Sequence, residues 1–211
     1  MADENAHIYQ PSQGHGLRHD PFNAIVGPRP IGWISSIGAG GGVNLAPYSF
    51  FNAFNYQPPV IGFSTIGWKD TVANVAETGE FCWSLATRGL AEEMNLTCAP
   101  APPEIDEFDV AGLTRAPSRL IKPPRILESP VNFECRLTQL IQLQGADGAK
   151  VDTWLVLGEV VAVHIDKALI KDGVYQTAAP GPILRCGRSG DYVEITQNSM
   201  FEMRRPGWPL D

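Results

Sequence analysis

The feature that most constrains this chain is the stretch from residue 28 to residue 52, where a run of glycines separates two apolar segments: PRPIGWISSIGAGGGVNLAPYSFFN. Residues 31–37 are largely apolar and β-branched, residues 38–42 are turn material, and residues 43–51 are apolar again with aromatic side chains. This pattern predicts two strands joined by a glycine turn.

Glycine-rich segments also form loops that hold phosphate groups, so that alternative has to be compared. A dinucleotide-binding loop needs G-x-G-x-x-G at the start of a helix, and here the last glycine position falls on Val43. A P-loop needs a lysine after the glycines, and none follows. Pro47 would also break the required helix. The hairpin is therefore favoured.

An anion site is predicted at a second stretch, where Lys69, Asp70 and Thr71 precede an apolar helical spacing that ends at Gly79. Asp70 or Thr71 can cap such a helix, whose first N–H groups carry a partial positive charge. The Lys69 ammonium and the Thr71 hydroxyl would add to a phosphate site there. The alternative is a capped surface helix with a solvated lysine.

Together these motifs resemble those of the flavin reductase-like family, in particular the branch of flavoredoxin and the reductase component of nitrilotriacetate monooxygenase. The resemblance runs over roughly residues 20 to 195. It rests on separate motifs in the same order: PRPIGWISS from residue 28, NLAPYSFFN from 44, KDT from 69, ETGEF from 77, DEF from 106 with AGL from 111, SP from 129 with EC from 134, and LGEV from 157.

The resemblance implies an FMN-binding split barrel that forms a homodimer with two FMN sites at the subunit interface. By the same resemblance, Lys69, Thr71 and Ser64 would hold the phosphate, assisted by Ser35 or Ser36. The flavin ring would be lined by Ala46, Pro47, Tyr48, Ser49 and Asn52, with backbone groups near Trp33 and Ile34. Arg185 is a weaker candidate for a partner-chain or nicotinamide contact, and Trp33 is equally suited to the core.

Bulk properties agree with a single globular domain of 211 residues. We expect an N-terminal arm over residues 1–22, the domain over 23–195 and a C-terminal tail over 196–211. A net charge of −7 without a basic block argues against nucleic acid and anionic membranes as partners. The first ten residues lack the pattern of a signal peptide, so we expect a cytoplasmic protein.

No metal site is predicted. The four cysteines are far apart, without a C-x-x-C pair, and are interpreted as free thiols. His15 and His19 are four residues apart, but the glycines around them disfavour a helix.

The rest of the chain predicts many short strands and few helices. Strands are expected at 60–65, 81–86, 131–137, 154–165, 181–186 and 191–195, and a helix at 89–98. The proline-rich segment 99–124 is long for a loop, so it should be functional, as a cover or as part of a partner contact. A mainly β domain follows, and closure as a barrel would remove exposed strand edges. Composition alone does not distinguish a barrel from a sandwich, and the resemblance implies the split barrel.

Three functions remain open at this point. The first is an NADH- or NADPH-dependent reductase that passes hydride to N5 of FMN and supplies reduced flavin to a monooxygenase or another acceptor. On this interpretation no side chain is itself catalytic. The second is an FMN electron carrier like flavoredoxin, without direct nicotinamide use. The third is a non-catalytic β-barrel that binds a small apolar ligand.

Overall fold

The structure is a computed structural model and describes residues 5–102 and 105–207. Three predicted segments lie partly outside those ranges: the start of the arm, two residues of the 99–124 loop, and the end of the tail with Trp208. The strands are β1 Arg29–Pro30, β2 Gly32–Ile37, β3 Val43–Tyr48, β4 Phe51–Tyr56, β5 Pro59–Ile66, β6 Glu80–Ser84, β7 Arg115–Ala116, β8 Arg125–Ile126, β9 Val131–Gln144, β10 Lys150–Ile165, β11 Ile170–Lys171, β12 Val174–Tyr175, β13 Ile183–Arg185 and β14 Tyr192–Glu194. The α-helices are α1 Phe22–Ile25, α2 Asp70–Thr78, α3 Ala91–Leu96 and α4 Glu107–Ala111.

The main sheet has seven antiparallel strands in the order β3-β2-β6-β9-β10-β5-β4. It curls so that strands from its two sides meet: the rings of Tyr48 on β3 and Phe63 on β5 are 4.7 Å apart. A smaller sheet, β1-β13-β14, and the hairpins β11-β12 and β7-β8 complete the strand pairing. The prediction of a mainly β domain with few short helices is confirmed.

Strand β2 is buried on both faces and separates two apolar clusters. Ile34 packs into the barrel interior with Phe63 and Phe81. Trp33, its neighbour along the strand, packs on the other side against Met94 and Phe108 beneath α3 and α4. This alternation follows from the two-residue period of a strand and explains why apolar residues occupy consecutive positions here.

The predicted hairpin is confirmed, with one difference. Strand β3 ends at Tyr48, and the residues that were predicted to continue it turn at Ser49 and Phe50 into the separate edge strand β4. The N–H of Ser64 donates to the carbonyl of Phe50 at 2.9 Å, which holds this corner against β5. The residues on both sides of this corner are apolar or aromatic, so the sequence pattern gives no sign that one strand ends and another begins.

Gly158 on β10 lies directly against the ring of Phe81 in the barrel core. A Cβ at this position would lie 2.6 Å from Cζ of Phe81, which is fully buried. We expect Gly158→Ala to lower the free energy of unfolding by about 2 kcal/mol, because the ring has to move within a packed core. Urea unfolding measures this effect, and Gly40→Ala, which meets no atom within 4 Å, is the control that should stay near wild type.

No helix in the described part of the chain is both long and apolar enough to cross a membrane.

Candidate functional site

A polar cavity of about 350 Å³ lies between strand β3 and the N-terminus of α2. Its remaining wall comes from the segment after α3 and from the first residue of α4. The lining residues are Asn44, Ala46, Pro47, Tyr48, Lys69, Asp70, Thr71, Thr97, Cys98, Ala99, Pro100, Ala101 and Glu107. Residues 99–101 and 107 of the 99–124 segment therefore form part of the wall, and the role of the segment as a cover or partner contact stays a prediction.

Helix α2 presents its N-terminus to this cavity. Its N-cap is Lys69, and its first backbone bond runs from the N–H of Ala73 to the carbonyl of Lys69 at 2.9 Å. The N–H groups of residues 70–72 therefore have no acceptor within the helix. The helix ends at Gly79 in the left-handed conformation, with φ 71°, as predicted.

The capping prediction was wrong. Asp70 is the first helical residue rather than the cap, and no side chain caps the helix at Lys69. The Asp70 carboxylate still lies in the first turn, where it interacts favourably with the helix dipole.

Thr71 links α2 to β3 through a hydrogen bond. Its side chain is almost completely buried, at 1% exposure, and its hydroxyl accepts a hydrogen bond from Nδ2 of Asn44 at 2.7 Å. One turn later, Nδ2 of Asn74 donates to the hydroxyl of Ser36 at 3.1 Å. These two bonds fix the helix N-terminus against the strand pair, so the Lys69 side chain starts from a rigid backbone.

The charges around the cavity are mixed. Lys69 faces the same space as the carboxylates of Asp70 and Glu107. Oε2 of Glu107 accepts the N–H of Leu45 on the outer edge of β3 at 2.9 Å. Partial burial raises the pKa of Glu107, and the nearby Asp106 and Asp70 raise it further, against the lowering effect of the Leu45 N–H.

Tyr48 supplies a neutral hydroxyl to the cavity. Burial raises the pKa of Tyr48 to about 12, and the charges of Asp70 and Glu107 add to this, while a hydrogen bond with Thr71 acts in the opposite direction. The phenol therefore stays protonated at neutral pH and can donate a hydrogen bond. Together with Lys69 and the free N–H groups of α2, it makes this side of the cavity suitable for an anion.

The four predicted residues of β2 do not line this cavity. Trp33 is fully buried, and its indole N–H donates to Oγ1 of Thr97 at 3.0 Å, while Ile34 lies in the barrel core. The hydroxyl of Ser35 donates to the carbonyl of Pro124 at 2.5 Å, and Ser36 is bonded to Asn74. These four side chains are buried next to the cavity, and three of them make hydrogen bonds within the protein.

The other predicted residues outside the cavity are Ser49, Asn52, Ser64 and Arg185. The carbonyl of Ser49 accepts Nε of Arg29 at 3.0 Å, Asn52 lines a different cavity, and Ser64 pairs with Leu155 on β10. Arg185 donates to the carbonyls of Gly187, Arg188 and Asp191. Its guanidinium lies 4.9 Å from the ring centre of Tyr192. Within this one chain, Ala46, Pro47, Tyr48, Lys69 and Thr71 are the predicted residues that come together.

Sequence reasoning missed Asn44, Thr97, Cys98 and Glu107. Asn44 had a usable signal, because it alternates with Ala46 and Tyr48 along β3 and therefore shares their face. Thr97 and Cys98 lie at the end of the predicted helix 89–98 and Glu107 lies in the loop that follows it, and no local pattern places them at this wall. In the described ranges, no three or more His, Cys, Asp or Glu side chains are arranged to hold a metal ion.

Comparisons with known proteins agree with this architecture. The family model for the flavin reductase like domain matches residues 27–181. Component B of nitrilotriacetate monooxygenase from Bacillus cereus superposes with a TM-score of 0.82 at 29% identity, covering 94% of this chain and all (100%) of that chain. A 2-nitrobenzoate 2-nitroreductase from Pseudomonas fluorescens gives 0.82 at 26% identity, covering 98% and 99%.

A third structure, from Shewanella frigidimarina, is described as having a split barrel domain. It superposes with a TM-score of 0.76 at 22% identity and covers 87% of this chain and 90% of that one. The seven-stranded curled sheet is therefore a split barrel, and the chain belongs to the flavin reductase-like family.

Proposed function

We propose that this protein is an FMN-dependent oxidoreductase that takes hydride from NADH or NADPH and supplies reduced flavin to a partner monooxygenase or another acceptor. The observation that carries the proposal is that Lys69, at the N-terminus of α2, lines the same cavity as the segment 46–48. Two motifs that the family resemblance assigns to the phosphate and to the ring of FMN thus meet in space.

The residues present fit a phosphate monoester at one end of the cavity. The Lys69 ammonium, the unpaired N–H groups of residues 70–72 and the Tyr48 hydroxyl are all donors. Thr71 differs from the expectation, because its buried hydroxyl already accepts the Asn44 amide. We therefore assign Thr71 to the phosphate through its backbone N–H, with its side chain holding α2 in place.

The apolar part of the cavity wall fits a flat apolar group. Ala46 and Pro47 provide an apolar wall next to the segment 99–101. When bound there, FMN would supply the redox chemistry by accepting hydride at N5. The protein's contribution is to hold the phosphate, to orient the ring against β3 and to limit the access of water with the segment after α3.

The homodimer is proposed on a surface of the main sheet. The side chains of Phe54 and Leu157 cover Gly62 on the outer face, at 3.0 and 2.5 Å from a Cβ built there. Phe54, Tyr56 and Ile66 are exposed. Ser64 lies on the same strand face as Gly62, two residues along β5. A second copy packed here would cover this apolar face and bring Ser64 to the subunit interface, where the family resemblance places FMN.

The first test is the visible spectrum of the purified protein with added FMN, followed by anaerobic titration with NADH and with NADPH. We expect flavin absorbance to remain with the protein after gel filtration and to bleach on addition of one or both nicotinamides. Bleaching only by a ferredoxin-type reduced protein would support the electron carrier instead. A colourless protein after incubation with FMN would refute both flavin functions.

A pH-dependent affinity is expected from Glu107. Because its pKa is raised, Glu107 is protonated and neutral at low pH, and as the pH rises above 4.5 it ionises and opposes a bound phosphate. We expect Glu107→Gln to bind FMN about fivefold more tightly than wild type at pH 8, with a ratio that approaches one near pH 4.5. The second ionisation of the phosphate, near pH 6, adds a negative charge that only the wild-type carboxylate opposes, so the ratio should rise further there.

Fluorescence titration of FMN at several pH values measures this ratio. Glu92→Gln, on the exposed surface of α3, is the matched control and should follow the wild-type profile. A ratio that does not change with pH would show that Glu107 does not interact with the phosphate.

A further inference from the structure

A second cavity, separate from the one described above, lies at one end of the barrel. It has a volume of about 430 Å³, is open on one side, and is bordered by β4, β5, β6, β9 and β10 together with β1, β12 and β13. This volume is in the range of sites for small molecules. The two cavities have no lining residue in common.

The wall of this second cavity is almost entirely apolar. Among the described residues that line it there is no Asp, Glu, Lys, Arg or His. Partial burial raises the pKa of Tyr175, so this lining phenol also remains uncharged at neutral pH. The indole N–H of Trp83 donates to the carbonyl of Ile31 at 2.9 Å, so this ring presents only its carbon surface. A charged ligand would lose its hydration here without gaining an ion pair.

Three aromatic rings give one side of the cavity its shape. Phe51 and Trp83 are nearly parallel, with planes 8° apart and centroids 5.6 Å apart. Phe133 packs against Trp83 with centroids 4.7 Å apart. Phe51 and Trp83 are therefore stacked in an offset arrangement, and with the tilted Phe133 they offer ring edges and faces that another aromatic ring can contact. Asn52 and Thr177 supply polar atoms at the margin that can orient a ligand through hydrogen bonds.

We propose that this barrel-end cavity is a second small-molecule site, which takes an uncharged, flat aromatic compound of about two fused rings against Phe51, Trp83 and Phe133. Absence of charge follows from the lining, aromatic character from the three rings, and size from the volume. The proposal goes beyond FMN binding and does not depend on it, because the Lys69 cavity has its own separate set of residues.

The test is calorimetric titration of the full-length protein with 2-naphthol, and with naphthalene-2-sulfonate as the charged probe of the same ring size. We expect 2-naphthol to bind at one site per chain and the sulfonate to bind at least tenfold more weakly. Saturating the protein with FMN should leave the affinity for 2-naphthol unchanged. Competition by FMN would overturn the proposal, since the cavity would then belong to the flavin.

A variant of a lining residue tests whether 2-naphthol binds in this cavity. Val163 lines it and is 52% exposed, so Val163→Asp adds a charge to the wall without burying it in the core. We expect this change to weaken 2-naphthol binding at least tenfold, while Val174→Asp, at an exposed position that does not line the cavity, leaves it unchanged. Thermal melting and FMN absorbance of the same samples report folding and the flavin site separately.

Three outcomes would refute the proposal whatever the flavin result. One is the absence of 2-naphthol binding. The second is equal binding of the two probes. The third is unchanged binding by a folded Val163→Asp variant.

Discussion

Replacement of Lys69 by methionine is expected to weaken FMN binding about 50-fold while leaving riboflavin binding unchanged. Among the described residues that line the cavity, Lys69 is the only lysine or arginine. The other charged groups in the lining are the carboxylates of Asp70 and Glu107. A hydrogen bond between charged partners contributes about 1.5–3 kcal/mol, which corresponds to roughly 10- to 150-fold in affinity. Methionine keeps the length of the side chain, so the loss reports the charge.

Riboflavin is the decisive comparison because it has the same ring and ribityl chain but no phosphate. Affinities for both ligands can be measured by quenching of flavin fluorescence in wild type, Lys69→Met and Lys171→Met. Lys171 lies on an exposed strand outside the cavity, so its variant should match wild type. If Lys69→Met binds FMN as tightly as wild type, the phosphate is held elsewhere. If it loses riboflavin as well, the change has disturbed the ring wall.

Much of the fold could be predicted because its strands carry local patterns. In β9, Val131, Phe133 and Cys135 alternate with polar residues, and the strand begins where predicted. It continues seven residues beyond the predicted end at Leu137, to Gln144. The reason is that this half pairs with the twisted end of β10, across register shifts, and has more exposed side chains. Apolar alternation is a signal of burial and fades where a strand leaves the core.

The candidate site was only partly predictable for a related reason. Lys69 and Tyr48 belong to short motifs that can be recognised locally, and the fold brings both to one cavity. Glu107 reaches the same cavity through a hydrogen bond to Leu45, 62 residues away in the chain. Nothing near Glu107 in the sequence encodes that contact. Ser64 and Ser49 lie outside the Lys69 cavity of their own chain, and the proposed homodimer is the arrangement that would give them a role there, whereas Asn52 lines the barrel-end cavity.

Glu134 is the second position at which a large effect is expected, here on stability. Its side chain is fully buried on the central strand β9. The carboxylate accepts the N–H groups of Arg119 and Leu120, at 2.7 and 2.6 Å, and Nε2 of His164 lies 2.5 Å from Oε1. Burial by itself would raise the pKa of Glu134, but the two N–H groups and His164 outweigh it and lower the pKa. One carboxylate thus joins the loop between β7 and β8 to strands β9 and β10.

We expect Glu134→Ala to lower the free energy of unfolding by about 3 kcal/mol, because it leaves two partly buried N–H groups and His164 without their acceptor. Since the pKa is lower in the folded state, the extra stability of wild type is complete above the ordinary glutamate pKa of 4.5 and is lost as the pH falls below it.

Urea unfolding of wild type, Glu134→Ala and Glu134→Gln from pH 3 to pH 7 measures both effects. Glu159→Gln, a half-buried carboxylate on β10, is the control. Trypsin should cut first after Arg119 in Glu134→Ala, because the loop loses its anchor. Equal stability of wild type and Glu134→Ala at pH 7, with the loop still protected, would contradict this assignment.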